Sequence, residues 1–263
     1  VSSQSLPATL GILGTGHIAS ALVAGLCTAD APPPRVLVSP RNAETAARLA
    51  ARFPAVAVAP DNQAVIDASD WVVLSVRPQV AREVLGALRF RTGQTVLSLI
   101  APIADEWIED AVKPARLAAR FLVMPPVERR LGPVAFCPPD PTVGALLARV
   151  GTTVPVAAKR DLLTIWSLTA LIAPFFNFLA TQADWAARNG VAPDTARAYA
   201  VAMAEALAIV AASPGAPPPT ELAIHAQTKG GLNEQVMREL AAKGWFDHVA
   251  SALDGILRRL QGR

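Results

Sequence analysis

The run Gly11-Ile12-Leu13-Gly14-Thr15-Gly16-His17-Ile18-Ala19 offers chemistry that belongs to the main chain more than to any side chain. Gly14 permits a tight turn, Gly16 lets the backbone approach a pyrophosphate, and the small Ala19 lets a following helix lie against a sheet. The amides near His17 and Ile18 would carry the positive end of that helix dipole. An apolar strand precedes the run and an amphipathic helix follows it. In that context GxGxxA marks a dinucleotide site, where the bare pattern alone would mark only a turn. The next strand decides which dinucleotide. A site for NAD places Asp or Glu at its end, to bond the ribose 2′-hydroxyl. Here the strand ends VLVSPRN, without an acid. Arg41 can pair its guanidinium fork with a 2′-phosphate, and Ser39 and Asn42 can donate hydrogen bonds to it. The expected cofactor is therefore NADP(H), and the expected activity is that of a reductase.

Other chemistries find little support. The two cysteines, Cys27 and Cys137, form no CxxC pair, and the three histidines are scattered, so no metal site is expected. Both cysteines read as small buried hydrophobes. The net charge is +3, with no dense basic run interleaved with aromatics, which argues against nucleic acid. No basic region followed by an apolar stretch opens the chain, so a cytoplasmic location is expected. One segment, Leu162–Ala180, carries no charge over 19 residues and is long enough to cross a membrane. Pro174 interrupts it and no Lys/Arg cluster follows. It reads instead as a helix buried in a core or an oligomer interface.

The elements that must position these residues change character along the chain. At 263 residues the chain has room for two domains. In the first part, strands are expected at Thr9–Leu13, Arg35–Ser39, Trp71–Val76, Thr95–Leu99, Arg116–Met124 and Val134–Cys137. Helical stretches alternate with them at Ile18–Cys27, Ala43–Arg52, Gln63–Asp67 and Gln79–Leu88. This alternation of apolar strands and helices predicts an α/β fold, a doubly wound Rossmann sheet covered on both faces. After Val156 the strand signal fades into Ala/Leu-rich helical stretches at 159–189, 193–212, 220–226, 232–242 and 246–260. The expected domains are 1–157, binding NADP, and an all-α part, 158–263.

Taken in order, several blocks resemble Δ1-pyrroline-5-carboxylate reductase. They are GILGTGHIASALVAGL, SPRN, VVLSVRPQ at 72–79, LSLIAPI at 97–103, RFLVMPP at 120–126, Gly132 with PVAF, and Thr228-Lys-Gly-Gly-Leu-Asn-Glu-Gln235. The resemblance implies an N-terminal Rossmann domain, a helical C-terminal dimerisation domain, a homodimer, and NADPH-dependent reduction of a cyclic imine in proline biosynthesis. It places Val76, Arg77 and Pro78 beside the cofactor and Met124-Pro125 beside the nicotinamide. It makes Thr228, Lys229, Gly230, Gly231, Leu232 and Asn233 the substrate loop, whose amides and threonines hold a substrate carboxylate in the family. His17 stands where the family has asparagine, as a cofactor neighbour.

The substrate end departs from the family pattern. MPNTP has become MPPV, and an apolar Pro126 replaces asparagine. PGGTT has become Lys229-Gly230-Gly231-Leu232-Asn233, so leucine and an amide replace two hydroxyls. Asn233 is the residue expected to orient the electrophile, and Lys229 adds a cation. Glu234 is expected in the first turn of a helix, complementing its dipole. His225 and His248 read as structural or exposed, and Tyr199 as a helix-packing residue. Because hydrogen-bonding sites discriminate strongly, these changes leave two alternatives open. One is a reductase of a different imine or carbonyl compound. The other is an NADP(H)-binding sensor with a decayed pocket.

Overall fold

A computed structural model of the chain describes residues 6–33, 35–100 and 105–262. Eight strands form one sheet: β1 (Thr9–Leu13), β2 (Arg35–Val38), β3 (Val56–Val58), β4 (Trp71–Leu74), β5 (Thr95–Ser98), β6 (Arg116–Leu122), β7 (Pro133–Cys137) and β8 (Thr152–Pro155). Their order is β3-β2-β1-β4-β5-β6-β7-β8. Neighbours from β3 through β6 are parallel, β7 runs antiparallel to β6, and β8 parallel to β7. The strand order turns back at β1, between β2 and β4, which is where doubly wound sheets bind ligands.

The strands are apolar on both faces because helices cover both. On one side lie α1 (His17–Cys27), α2 (Ala43–Arg52), α6 (Pro141–Leu147) and a 3₁₀ helix (Pro125–Arg129). On the other lie α3 (Asn62–Asp67), α4 (Pro78–Gly86) and α5 (Asp105–Ala111). Leu10, Ile12, Val36, Val38 and Val73 join the first core, and Leu13, Leu37, Val72 and Leu74 the second. Side-chain oxygens accept at the helix starts: Asn42 from Thr45 N, Asp61 from Ala64 N, and Asp140 from Thr142 N and Val143 N.

Two strands and two helices escape the sequence pattern. β3 and β8 are three and four residues long and close the two edges of the sheet. Such short, partly exposed runs carry no buried apolar stretch to announce them. The helices α5 and α6, seven residues each, are too short for a clear period.

The chain divides into two compact units, one running to Trp166 and joined by the last residues from Leu260, the other Ser167–Arg259. The sequence expectation put the change at 157/158. α7 (Lys159–Ser167) packs Leu162, with Ile165 and Trp166, on Leu122, Ala135 and Cys137 of the sheet. The second unit holds α8 (Ile172–Arg188), α9 (Pro193–Ala212), α10 (Pro219–His225), α11 (Leu232–Ala242) and α12 (Trp245–Leu260). α8 and α9 form a hairpin whose turn needs Gly190, at φ +95°.

Among the described apolar residues of this unit, only Ala196 and Ala200 are buried. Phe176, Trp185, Leu207 and Ile209 are each more than 60% exposed, and so is Tyr199 at 73%. In a single chain, Tyr199 therefore does not pack between helices as expected, and the uncharged 162–180 segment is largely uncovered. The helices over 159–188 and 193–212 are long and apolar enough to cross a membrane by length and composition. Apolar surface this extensive marks a face that a partner would cover.

Candidate functional site

The β1–α1 turn lies at the carboxyl edge of the sheet, where the strand order turns back. Gly14 sits there at φ +97°, and a Cβ on it would lie 2.5 Å from Ser75 O and 3.1 Å from Val76 N. Only glycine both tolerates that backbone and lets the β1 turn lie on the β4–α4 turn. Gly16 caps α1 without any side-chain hydrogen bond, no acid stands in the first turn, and a Cβ there would meet nothing within 4 Å. Among the described residues no side chain accepts from the first N–H groups of this 11-residue helix, which starts with His17, exposed, and Ile18, half-buried. That arrangement is made for an anion. The buried Thr15 hydroxyl lacks a hydrogen-bond partner among the described residues.

The end of β2 braces this turn. Ser39 is buried, and its Oγ accepts from Gly14 N at 2.8 Å. Asn42 Nδ2 donates to Thr15 O at 3.3 Å, while its Oδ1 accepts from Thr45 N at 3.4 Å. Sequence reasoning gave both side chains to a phosphate; in the structure both also brace the loop, Ser39 as an acceptor and Asn42 through one of its amide hydrogens. Arg41 is exposed and makes no ion pair or hydrogen bond among the described residues, leaving its guanidinium available.

Three further segments reach the same sheet edge. Val76 is half-buried, Arg77 caps α4 in extended conformation, and Pro78 opens that helix. Met124 precedes the 3₁₀ helix that Pro125 begins, and its Cε would touch a Cβ placed on Gly132 at 3.3 Å. Val127 N donates to Met124 O. Of the LSLIAPI block, residues 101–103 lie outside the described residues.

One buried group here went unnoticed in the sequence. Arg120 of β6, 8% exposed, pairs with Asp105 Oδ1 at 2.5 Å and donates to Ile100 O at 2.5 Å. It therefore ties the end of β5 to the start of α5. Its guanidinium also lies over Trp166, at 5.9 Å from the ring centre. Lys159 adds a contact to Asp105 at 3.1 Å. Burial alone would lower the Lys159 pKa, but the carboxylates of Asp105, Glu106 and Glu109 outweigh it and hold the pKa above its ordinary value. A charge inside an apolar run, RLAARFLVM, was the available signal. Burial pushes the Cys27 thiol up to about 11 and raises Cys137 as well, which disfavours the thiolate at both.

The second unit carries the segment from Thr228 to Asn233, which turns after α10 and enters the first turn of α11 at Leu232. Gly230 turns at φ +74°. Its N–H donates to Glu234 Oε2 at 2.6 Å, and Gly231 N donates to Thr228 O at 2.7 Å. Asn233 Nδ2 donates to Ala226 O at 3.0 Å. Lys229 is exposed, and Leu232 is 83% exposed. The loop amides expected to face a ligand are thus engaged within the loop itself.

Comparison with known proteins matches both units. The family described as NADP oxidoreductase, coenzyme F420-dependent, matches residues 9–102, and pyrroline-5-carboxylate reductase dimerisation matches residues 167–262. A pyrroline-5-carboxylate reductase of Pseudomonas aeruginosa is 26% identical over 264 residues, covering 95% of this chain and 94% of that protein. The structure of 1-pyrroline-5-carboxylate reductase from Streptococcus pyogenes superposes with TM-score 0.83 at 22% identity, covering 97% of this chain and 98% of that one. A Plasmodium falciparum pyrroline carboxylate reductase with NADP bound superposes with TM-score 0.79 at 15% identity, covering 97% of both chains. The α1 cradle and these likenesses together identify a site for a nicotinamide dinucleotide.

Proposed function

We propose that the chain is a member of the pyrroline-5-carboxylate reductase family, an NADPH-dependent reductase of a cyclic imine; the match of its second unit to the dimerisation model of that family and its similarity to a Pseudomonas aeruginosa pyrroline-5-carboxylate reductase support the reading. The observation that carries the reading is the uncapped start of α1 behind Gly14, beside a β2 end that offers Arg41 and no acid. When bound, NADPH supplies the hydride that reduces a C=N bond. The chain's residues do the rest. The first-turn amides of α1 hold the pyrophosphate, and Arg41 pairs with the 2′-phosphate. Ser39 and Asn42 keep the loop in shape for that contact. Val76 to Pro78 and Met124-Pro125 flank the rest of the cofactor at the same sheet edge.

A cyclic imine is electrophilic once protonated and takes its proton from water or a weak donor. Holding the two reactants together then supplies most of the acceleration, and no histidine–carboxylate dyad is required. In the second unit, Thr228 to Asn233 are the candidate substrate-binding residues, with Asn233 as the orienting amide. Residues 158–263 act as the dimerisation part, so that a second copy covers the exposed faces of α8 and α9 and the pair is a homodimer.

The test is NADPH oxidation by the purified protein with a panel of cyclic imines and ketones. Turnover of at least one imine, and slower or absent turnover of ketones, is the expected result. Tight NADPH binding without turnover of any compound would instead describe a sensor.

A further inference from the structure

The sheet register sets Leu13, Leu74, Ser98 and Arg120 in one row across β1, β4, β5 and β6. Gly14 and Ser75 follow that row directly, so Arg120 stands level with the last residues before the carboxyl edge. It is a buried charge between two buried apolar residues, Ala119 and Phe121. A buried ion pair is a poor source of stability, since apolar residues of similar volume often do as well or better. What this one supplies is placement. Its planar fork reaches two acceptors at once, Ile100 O and Asp105 Oδ1, each at 2.5 Å. Ile100 N donates to Ser98 Oγ at 3.1 Å, and Leu99 N to Leu74 O at 2.9 Å, so β5 ends in a fixed shape. Lys159 holds the other oxygen of Asp105 at 3.1 Å.

That end of β5 lies on the reacting side of the cofactor site. The pyrophosphate belongs to the β1–α1 turn and the 2′-phosphate to Arg41 at the end of β2. In the strand order β2-β1-β4-β5, a dinucleotide laid along the carboxyl edge therefore carries its nicotinamide toward β4 and β5. We propose that Arg120 is a positioning residue, which fixes the carboxyl end of β5 as a support for the nicotinamide and so sets the geometry of hydride transfer. The inference rests on the imine-reductase reading and adds to it a residue that acts through the backbone of Ile100. Lysine is no substitute, because its ammonium keeps the charge and lacks the fork that spans two acceptors. Displacing a reacting group by about 1 Å costs up to about 100-fold in rate, so small errors in this support are felt.

The experiment measures three quantities in the wild type, Arg120→Lys and Asp105→Asn. They are NADPH affinity by fluorescence, kcat and KM for a cyclic imine, and the isotope effect on kcat with NADPH deuterated at nicotinamide C4. Arg120→Lys should lower kcat by about 10- to 100-fold and raise the isotope effect, because hydride transfer itself becomes slower. NADPH affinity should stay within about threefold of wild type, since the contacts to its phosphates lie at β1 and β2. Asp105→Asn leaves the bond from Arg120 to Ile100 and removes the charge that steadies it. It should shift kcat and the isotope effect the same way by less, and it carries the test if the lysine variant does not fold. Folded variants with wild-type kcat and isotope effect, whatever their Tm, overturn the role of Arg120 and leave the imine-reductase reading standing. A loss confined to NADPH affinity does the same. A wild type that binds NADPH and reduces no imine overturns both readings.

Discussion

Arg41 and Ser39 stand two positions apart, and the same sequence argument gave both to the cofactor, but their surroundings differ. Arg41 is exposed with no partner among the described residues, so its fork is free to meet a phosphate. Ser39 is buried, with its oxygen on Gly14 N. The type of a residue was legible; the partner of its oxygen was not, because Gly14 is 25 positions away. The same limit hid Arg120 and Asp105, which are 15 positions apart. Arg41→Ala should weaken NADPH binding by about 10- to 100-fold, the worth of a charge-assisted hydrogen bond of about 1.5–3 kcal/mol, and leave NADH binding unchanged. Titration of both cofactors by fluorescence checks it. Equal weakening of the two would mean that Arg41 supports the loop and does not read the 2′-phosphate.

Elements were legible where burial writes a pattern. β1 and α9 emerge with the bounds that the sequence suggests, because each is bounded by a glycine or proline and runs without interruption. The edge strands β3 and β8 were not legible, since pairing with one neighbour stabilises them more than any apolar run does. The helix α6 is likewise defined by its cap. Asp140 accepts from Thr142 N at 2.9 Å and Val143 N at 3.0 Å, and Arg116 approaches it at 3.4 Å. Burial alone would raise its pKa, but these hydrogen bonds and the Arg116 charge outweigh it and hold the pKa below the ordinary value. A carboxyl depressed in the folded state stabilises above its unfolded pKa, and that contribution disappears as pH falls through the folded one. Asp140→Ala should therefore cost about 1 kcal/mol at neutral pH. In urea titrations the gap to wild type should close once the pH drops below about 4. A gap that stays constant into acid would show that the carboxylate charge contributes nothing to the cap.

The whole molecule joins a unit with a dense core to one with almost none. The first buries apolar residues on both faces of its sheet, while the second buries only two alanines among its described apolar residues. Sequence reading found the uncharged helix and proposed an interface for it, but the extent of exposure along α9 shows only in three dimensions. A groove of about 510 Å³ between α8 and α9, lined by Phe176, Leu179, Ala183 and Val201, remains open in the single chain. Sedimentation should therefore give at least twice the 27.5 kDa chain mass, and Leu207→Glu, on the exposed face of α9, should shift it toward monomer. A stable wild-type monomer would contradict the dimeric reading. The central claim, hydride transfer from NADPH to a C=N bond, is tested most directly with NADPH deuterated at nicotinamide C4 and a cyclic imine. The account predicts a saturated cyclic amine carrying one deuterium at the former imine carbon. NADPH that binds to the protein while every imine is recovered unreduced and without deuterium would contradict it.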